Sequence, residues 1–310
     1  NRYGIYQRWG SGTTIGGTVS GAGNLVSGNN SEGITLEATN SNTIKGNIVG
    51  LNATGTTALP NPGSNVYLRL GSSNNQIGGT TAAERNVLSA SVYGDGVTLE
   101  ASSTGNVITG NYIGTNSAGT AGIGNGRFGI WFGSASGNTI GGSAAGAGNV
   151  VAASVQDGIK IESSGSNTVQ GNYVGTNAAG TAAITNNGYG VNLDNSSSNT
   201  IGGTATGARN VISGNANHGV LVNNATGNNI QGNYIGTNTA GTAAIANGGW
   251  GGVALYNGAT GNTVGGSVAG RNIISGNAHY GVLVHSSGMN TVSANYIGTD
   301  VTGTAKLGNG

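Results

Sequence analysis

The stretch GVLVNNATGNNIQGNYIGTN, residues 219–238, decides the fold. Its apolar residues fall in three short segments, GVLV, NNIQGN and YIGTN, separated by Asn, Gly and Thr. Segments this short, bounded by turn formers, read as β-strands and not as helix. The pattern recurs along all 310 residues. Its first segment returns as GITL from Gly33, GVTL from Gly96, GIWF from Gly129, GIKI from Gly158, GVNL from Gly190, GVAL from Gly252 and GVLV from Gly281, with GIYQ from Gly4 and NVYL from Asn65 as looser members. The phrase IGG or VGG marks a longer period at Ile15, Ile77, Ile140, Ile201 and Val264, in steps of 62, 63, 61 and 63. Two related units of about 29 and 32 residues therefore make one large repeat, and five repeats make ten turns of chain.

Periodicity of this kind separates the chain from a low-complexity linker, which its 64 Gly and 6% charged residues would otherwise suggest. Three short parallel strands per turn, with each turn stacked on the last, describe an all-β solenoid, a parallel β-helix of about ten rungs. The right-handed crossover rule for parallel strands sets its hand.

Asparagine columns support that reading. One column precedes the second strand: Asn42, Asn75, Asn106, Asn138, Asn167, Asn199, Asn228, Asn262 and Asn290, with Thr13 in the first rung. Another precedes the third strand without exception: Asn24, Asn47, Asn86, Asn111, Asn149, Asn172, Asn210, Asn233, Asn272 and Asn295. Amides stacked about 4.8 Å apart can hydrogen-bond from rung to rung and satisfy the backbone of the bends. They are expected to be structural ladders.

The pattern G-I-x-I, N-x-I, N-x-I resembles the right-handed parallel β-helix repeats of pectate-lyase-like enzymes and of many bacterial surface and secreted proteins. The resemblance covers essentially the whole chain. It implies a single β-helix domain of five repeats, approximately 1–62, 63–125, 126–186, 187–248 and 249–310, without implying one activity, because that fold carries lyases, hydrolases, epimerases, adhesins and spacers.

Composition excludes several function classes. A net charge of +1 gives no basic patch for nucleic acid, and no apolar run is long enough to span a membrane. Cysteine is absent, and His218, His279 and His285 lack zinc-ligand spacing, so no metal or cofactor is expected.

The two unit types differ in their insertions. One carries a short loop such as GTATGAR between its second and third strands. The other carries an insert such as TAGTAAIANGG after its third strand, with an apolar residue at Leu59, Ile123, Ile184, Ile245 or Leu307. The outward position of strand three is apolar in every rung, running from Leu25 to Tyr296, so the insert is expected to fold back over that face. The tyrosines of NYIGTN are then expected to be packing residues, with sugar stacking as the alternative.

Chemistry is expected on strand one. Its outer column reads Arg8, Glu37, Arg69, Glu100, Gly133, Glu162, Asp194, Asn223, Tyr256 and His285. Glu162 and Asp194 fall on neighbouring rungs, where two carboxylates could serve acid/base chemistry or hold a cation. With Asp157 and Lys160 they form the candidate catalytic cluster, against the reading in which Lys160 neutralises Glu162. Tyr6, Tyr67, Trp131, Tyr189, Trp250 and Tyr256 are candidate sugar-stacking residues on or beside the same face. Joined end to end, the two termini reproduce the internal phrase from residue 122, and no capping repeat is visible. From this follows the expectation of a structural, extracellular or cell-surface protein, a stalk, adhesin segment or filament subunit, whose partners are copies of itself head to tail or the rest of a longer repeat chain. The alternative is a polysaccharide-binding or polysaccharide-cleaving domain, a lyase or glycoside hydrolase.

Overall fold

The computed structural model describes residues 2–310. Thirty strands form three parallel sheets of ten, and every third strand in chain order belongs to the same sheet. The first sheet takes Ile5–Arg8, Ile34–Glu37 and their successors, the second Thr14–Gly16 onwards, and the third Leu25–Val26 onwards. Both looser first segments, Ile5–Arg8 and Val66–Arg69, are strands like the rest.

Register follows the aliphatic columns. Val97, Ile130, Ile159, Val191 and Val220 are successive partners in the first sheet. Their side chains point inward with those of Ile108, Ile140, Val169 and Ile201 from the second sheet and Ile113, Val151, Val174 and Ile212 from the third, all fully buried in one continuous core. Each such side chain contributes about 1.5–3 kcal/mol on burial. The residue after the first strand turns the chain through the first corner in every rung. Trp9, Ala38, Ser163 and Asn224, for example, take φ of 56°, 52°, 49° and 46°.

Both predicted ladders form. Asn172 shows the bonding: its Oδ1 accepts from the backbone N and Nδ2 of Asn149, and its Nδ2 donates to Ile140 O, Gln170 O and Asn210 Oδ1. The chain of amides runs from Asn24 to Asn295. At the start of the other ladder, Thr13 N donates to Asn42 Oδ1. A third ladder stands at the corner before strand one, through Asn186, Asn215, Asn247, Asn277 and Asn309. Lower in the rod, Asn29 pairs with Asn61 and Asn65 with Asn125.

The inserts fold back as expected. Each pairs antiparallel with the end of its own third strand, at Leu51–Ala58, Thr115–Gly122, Thr176–Ala183, Thr237–Ala244 and Thr299–Lys306. They also touch one another, since Ser117 N donates to Gly55 O, Ala178 N to Gly119 O, Thr239 N to Gly180 O and Val301 N to Gly241 O. Val87, Val150, Val211, Tyr234 and Ile273 are buried beneath this edge, whereas Leu25 of the first rung stays exposed. Among the described residues no helix is long and apolar enough to cross a membrane.

Candidate functional site

The outward face of the first sheet carries the groups that can do chemistry. In its lower rungs the predicted alternation of charge is an ion-pair ladder. Glu37 receives Arg8 Nε at 2.7 Å and Arg69 Nε at 2.8 Å. The Tyr6 hydroxyl donates to it as well, at 2.9 Å, and that bond together with Arg69 and Arg8 outweighs burial and holds the carboxyl below its usual range.

The sequence-predicted catalytic cluster is an ion-paired triad. Glu162 and Asp194 are register partners, and Lys160 Nζ lies 3.3 Å from Glu162 Oε1 and 3.2 Å from Asp194 Oδ2. Burial opposes the Lys160 charge, but the two carboxylates outweigh it and hold the ammonium above its ordinary pKa. Asp194 Oδ1 takes further bonds from Nδ2 of Asn195 and Asn223. Asp157 does not join them. It is buried, accepting from Tyr189 N at 2.8 Å and Asn192 Nδ2 at 2.9 Å, and burial pushes its carboxyl up. Asp95 receives Phe128 N and His218 Nδ1 receives Gly251 N in the same way. The residue before the strand-one Gly thus holds the backbone of the rung above, and Asp157 belongs to that structural column. No group of three or more His, Cys, Asp or Glu among the described residues could hold a metal ion.

The candidate aromatics divide into two sets. In the upper rungs the rings satisfy one another: Tyr189 stacks on His218 at 5.4 Å, His218 on Tyr256 at 5.8 Å, and Tyr256 meets His285 at 5.2 Å. Trp250 stacks on His279 at 5.0 Å and is more than half exposed. In the lowest rung Tyr6 stacks on Tyr3 at 5.0 Å.

The middle rungs are different. Gly133 interrupts the outer column between Glu100 and Glu162, both of which are its register partners. Trp131 fills the gap, because a Cβ at Gly133 would lie 2.6 Å from its Cζ2. Its Nε1 donates to Glu162 Oε2 at 3.2 Å, and the Arg127 guanidinium sits 5.0 Å from its ring. On the other side the Tyr67 hydroxyl donates to Glu100, whose carboxyl is pushed up by burial and only partly offset by Arg127. Two hollows meet here. One of about 410 Å³ is lined by Glu100, Trp131, Gly133, Ser134 and Glu162; the other, of about 250 Å³, lies beside Tyr67, Tyr93, Asp95 and Arg127 and shares Glu100 and Trp131 with the first. Sequence reasoning named Trp131, Tyr67 and Glu162 but missed Glu100 as a site residue. The missing side chain at Gly133 in a column of charges was the available signal.

No protein-family model matches the chain, and no curated protein does. Among solved structures it is similar to the periplasmic alginate epimerase AlgG, at 14% identity over 94% of this chain and 47% of that one, with a TM-score of 0.41. The Azotobacter vinelandii mannuronan C-5 epimerase AlgE4 A-module gives 14% identity over 94% and 84%, with a TM-score of 0.44. The Dettilon tailspike protein gives 14% over 94% and 63%, with a TM-score of 0.41. The chain spans about half the length of AlgG. The fold itself is written in the three ten-stranded sheets: the chain is a parallel β-helix.

Proposed function

We propose that the chain is a rigid β-helical rod that presents a glycan-binding face, centred on Trp131, at a cell surface or outside the cell. The observation that carries this reading is the break at Gly133. It leaves an indole lying along the sheet between two carboxylates, beside an open furrow. A ring of this kind offers an apolar face to the C–H side of a sugar, and Glu100, Glu162 and Ser134 offer hydrogen-bond partners to its hydroxyls. Seven of the nine acidic residues in the chain, Glu32, Glu37, Asp95, Glu100, Asp157, Glu162 and Asp194, lie on or beside the first sheet, so the face favours neutral over anionic glycans. Binding of neutral oligosaccharides to immobilised protein, lost by at least about tenfold in Trp131→Ala, tests the reading.

A second reading rests on the same carboxylates. Glu100 and Glu162 stand two rungs apart, roughly 10 Å between Cα positions, with one of them held toward its protonated form. An inverting glycosidase needs a raised acid and a base flanking the scissile bond with room for water. In that chemistry Glu100 would protonate the glycosidic oxygen and Glu162 would take the proton of the attacking water. Release of product with inverted anomeric configuration, abolished in Glu100→Gln, would establish hydrolysis. Binding without turnover leaves the face a recognition surface.

A further inference from the structure

On the far side of the rod, the repeats differ at one position with a spatial consequence. The residue before the second-column Asn in the rungs that carry the GTATGAR-type loop is Gly23, Arg85, Gly148, Arg209 or Arg271. Each arginine lays its guanidinium over a third-strand tyrosine: Arg85 over Tyr112 at 4.0 Å, Arg209 over Tyr234 at 4.1 Å and Arg271 over Tyr296 at 4.0 Å. Tyr173, the equivalent ring above Gly148, has no such cover. A cleft of about 480 Å³ opens there, with Val150, Tyr173 and Val211 as its floor and Arg85 and Arg209 toward its two ends.

Charge and hydrogen bonding define what suits this cleft. No acidic residue lines it. Glu84, next to Arg85 in sequence, is engaged by the backbone N and the hydroxyl of Thr81. Arg85 Nε donates to Gly110 O and Arg271 Nε to Ala294 O, both at 3.1 Å, but Arg209 Nε is buried with no partner. The two arginines stand four rungs apart, roughly 19 Å, which is the length of about four sugar rings. Their stacking on Tyr112 and Tyr234 holds them in place before any ligand arrives, which lowers the ordering cost of pairing with an anion.

From this we infer that the cleft is a binding site for an acidic oligosaccharide, with one ring stacked on Tyr173 and carboxylate or sulfate groups meeting Arg85 and Arg209. The site is separate from the Trp131 face and stands whether or not that face binds glycans.

The test uses the whole chain and ligand-observed NMR with three probes: a hyaluronan tetrasaccharide carrying carboxylates, a heparin tetrasaccharide carrying mainly sulfates, and maltotetraose as the neutral control. At least one acidic probe should bind, more weakly as salt is raised, and maltotetraose should not compete; which acidic probe binds identifies the anionic group. In the present loop a Cβ at Gly148 would run into the carbonyl oxygen of Gly171. The arginine is therefore introduced with its own loop, as Ser143→Thr, Ala145→Thr and Gly148→Arg, which reproduces residues 203–209 at 142–148. That variant should cover Tyr173 and lose acidic binding at least tenfold, while Trp131→Ala keeps it. If the loop exchange fails to fold, Arg85→Gln with Arg209→Gln decides by the same loss. Absence of binding by both acidic probes, displacement of a bound acidic probe by maltotetraose, or unchanged binding in the folded variants would overturn the inference.

Discussion

At the scale of single residues, the asparagine amide is what makes this chain a solenoid. It accepts from the rung below and donates to the rung above, which a purely accepting side chain cannot do. Asn172→Ala should destabilise the protein by about 2–4 kcal/mol in urea unfolding, since it leaves several buried groups unpaired. Asn172→Asp should be worse at neutral pH, because a carboxylate oxygen would then face the Asn210 Oδ1 that the amide now bonds, and it should recover on acidification. An Asp variant more stable than the Ala variant at pH 7 would contradict this account. Asp157 offers a second residue-level test. Burial raises its carboxyl above 3.8, so its contribution to stability is fully present below that value and fades as pH rises through the raised one. Glu37, held below 4.5, acts in the opposite sense. Comparing melting temperatures of wild type and Asp157→Asn isolates the first effect: the wild type should gain on the variant as pH falls toward 3.8, and parallel curves would contradict the raised value.

At the scale of the element, the rungs were legible in the sequence because each asparagine column stands one residue before its strand and the strand-one aliphatics recur every 29 to 33 residues. The third amide ladder was not, because the inserts set Asn61, Asn125, Asn186 and Asn247 twelve residues past the third strand where the other rungs use three, and Ser91 and Ser154 stand in the ladder's place in two rungs. The inserts were legible only through their apolar residue; that they stack into a continuous edge depends on tip-to-tip backbone bonds that side-chain identity does not encode. Where the third strand meets its insert, Gly175 takes φ of 85°, and a Cβ there would lie 2.5 Å from Asn215 Oδ1. Gly175→Ala should therefore cost about 1–3 kcal/mol, read as a lowered unfolding midpoint, through both the left-handed backbone and the disturbed ladder.

At the scale of the whole molecule, the rod separates its charges. The first-sheet side holds Arg2, Arg8, Arg69, Arg127 and Lys160 with seven carboxylates, while Lys45, Arg85, Arg209, Arg271 and Lys306 share the other sides with Glu84 and Asp300. A net charge of +1 hides this division. The candidate site was half legible for a related reason. The column of strand-one residues is printed in the sequence, but which carboxylate is free depends on where Lys160 Nζ points, and it points at the pair first chosen, Glu162 and Asp194. The open feature is one rung lower, where Gly133 lets Trp131 lie beside Glu100. The measurement that tests this most directly is titration of Trp131→Ala and wild type against a panel of neutral oligosaccharides, with circular dichroism to confirm the fold. The account predicts that wild type binds at least one member and that the variant, folded alike, binds it at least about tenfold more weakly. Binding of equal strength by both, or by neither, would contradict it.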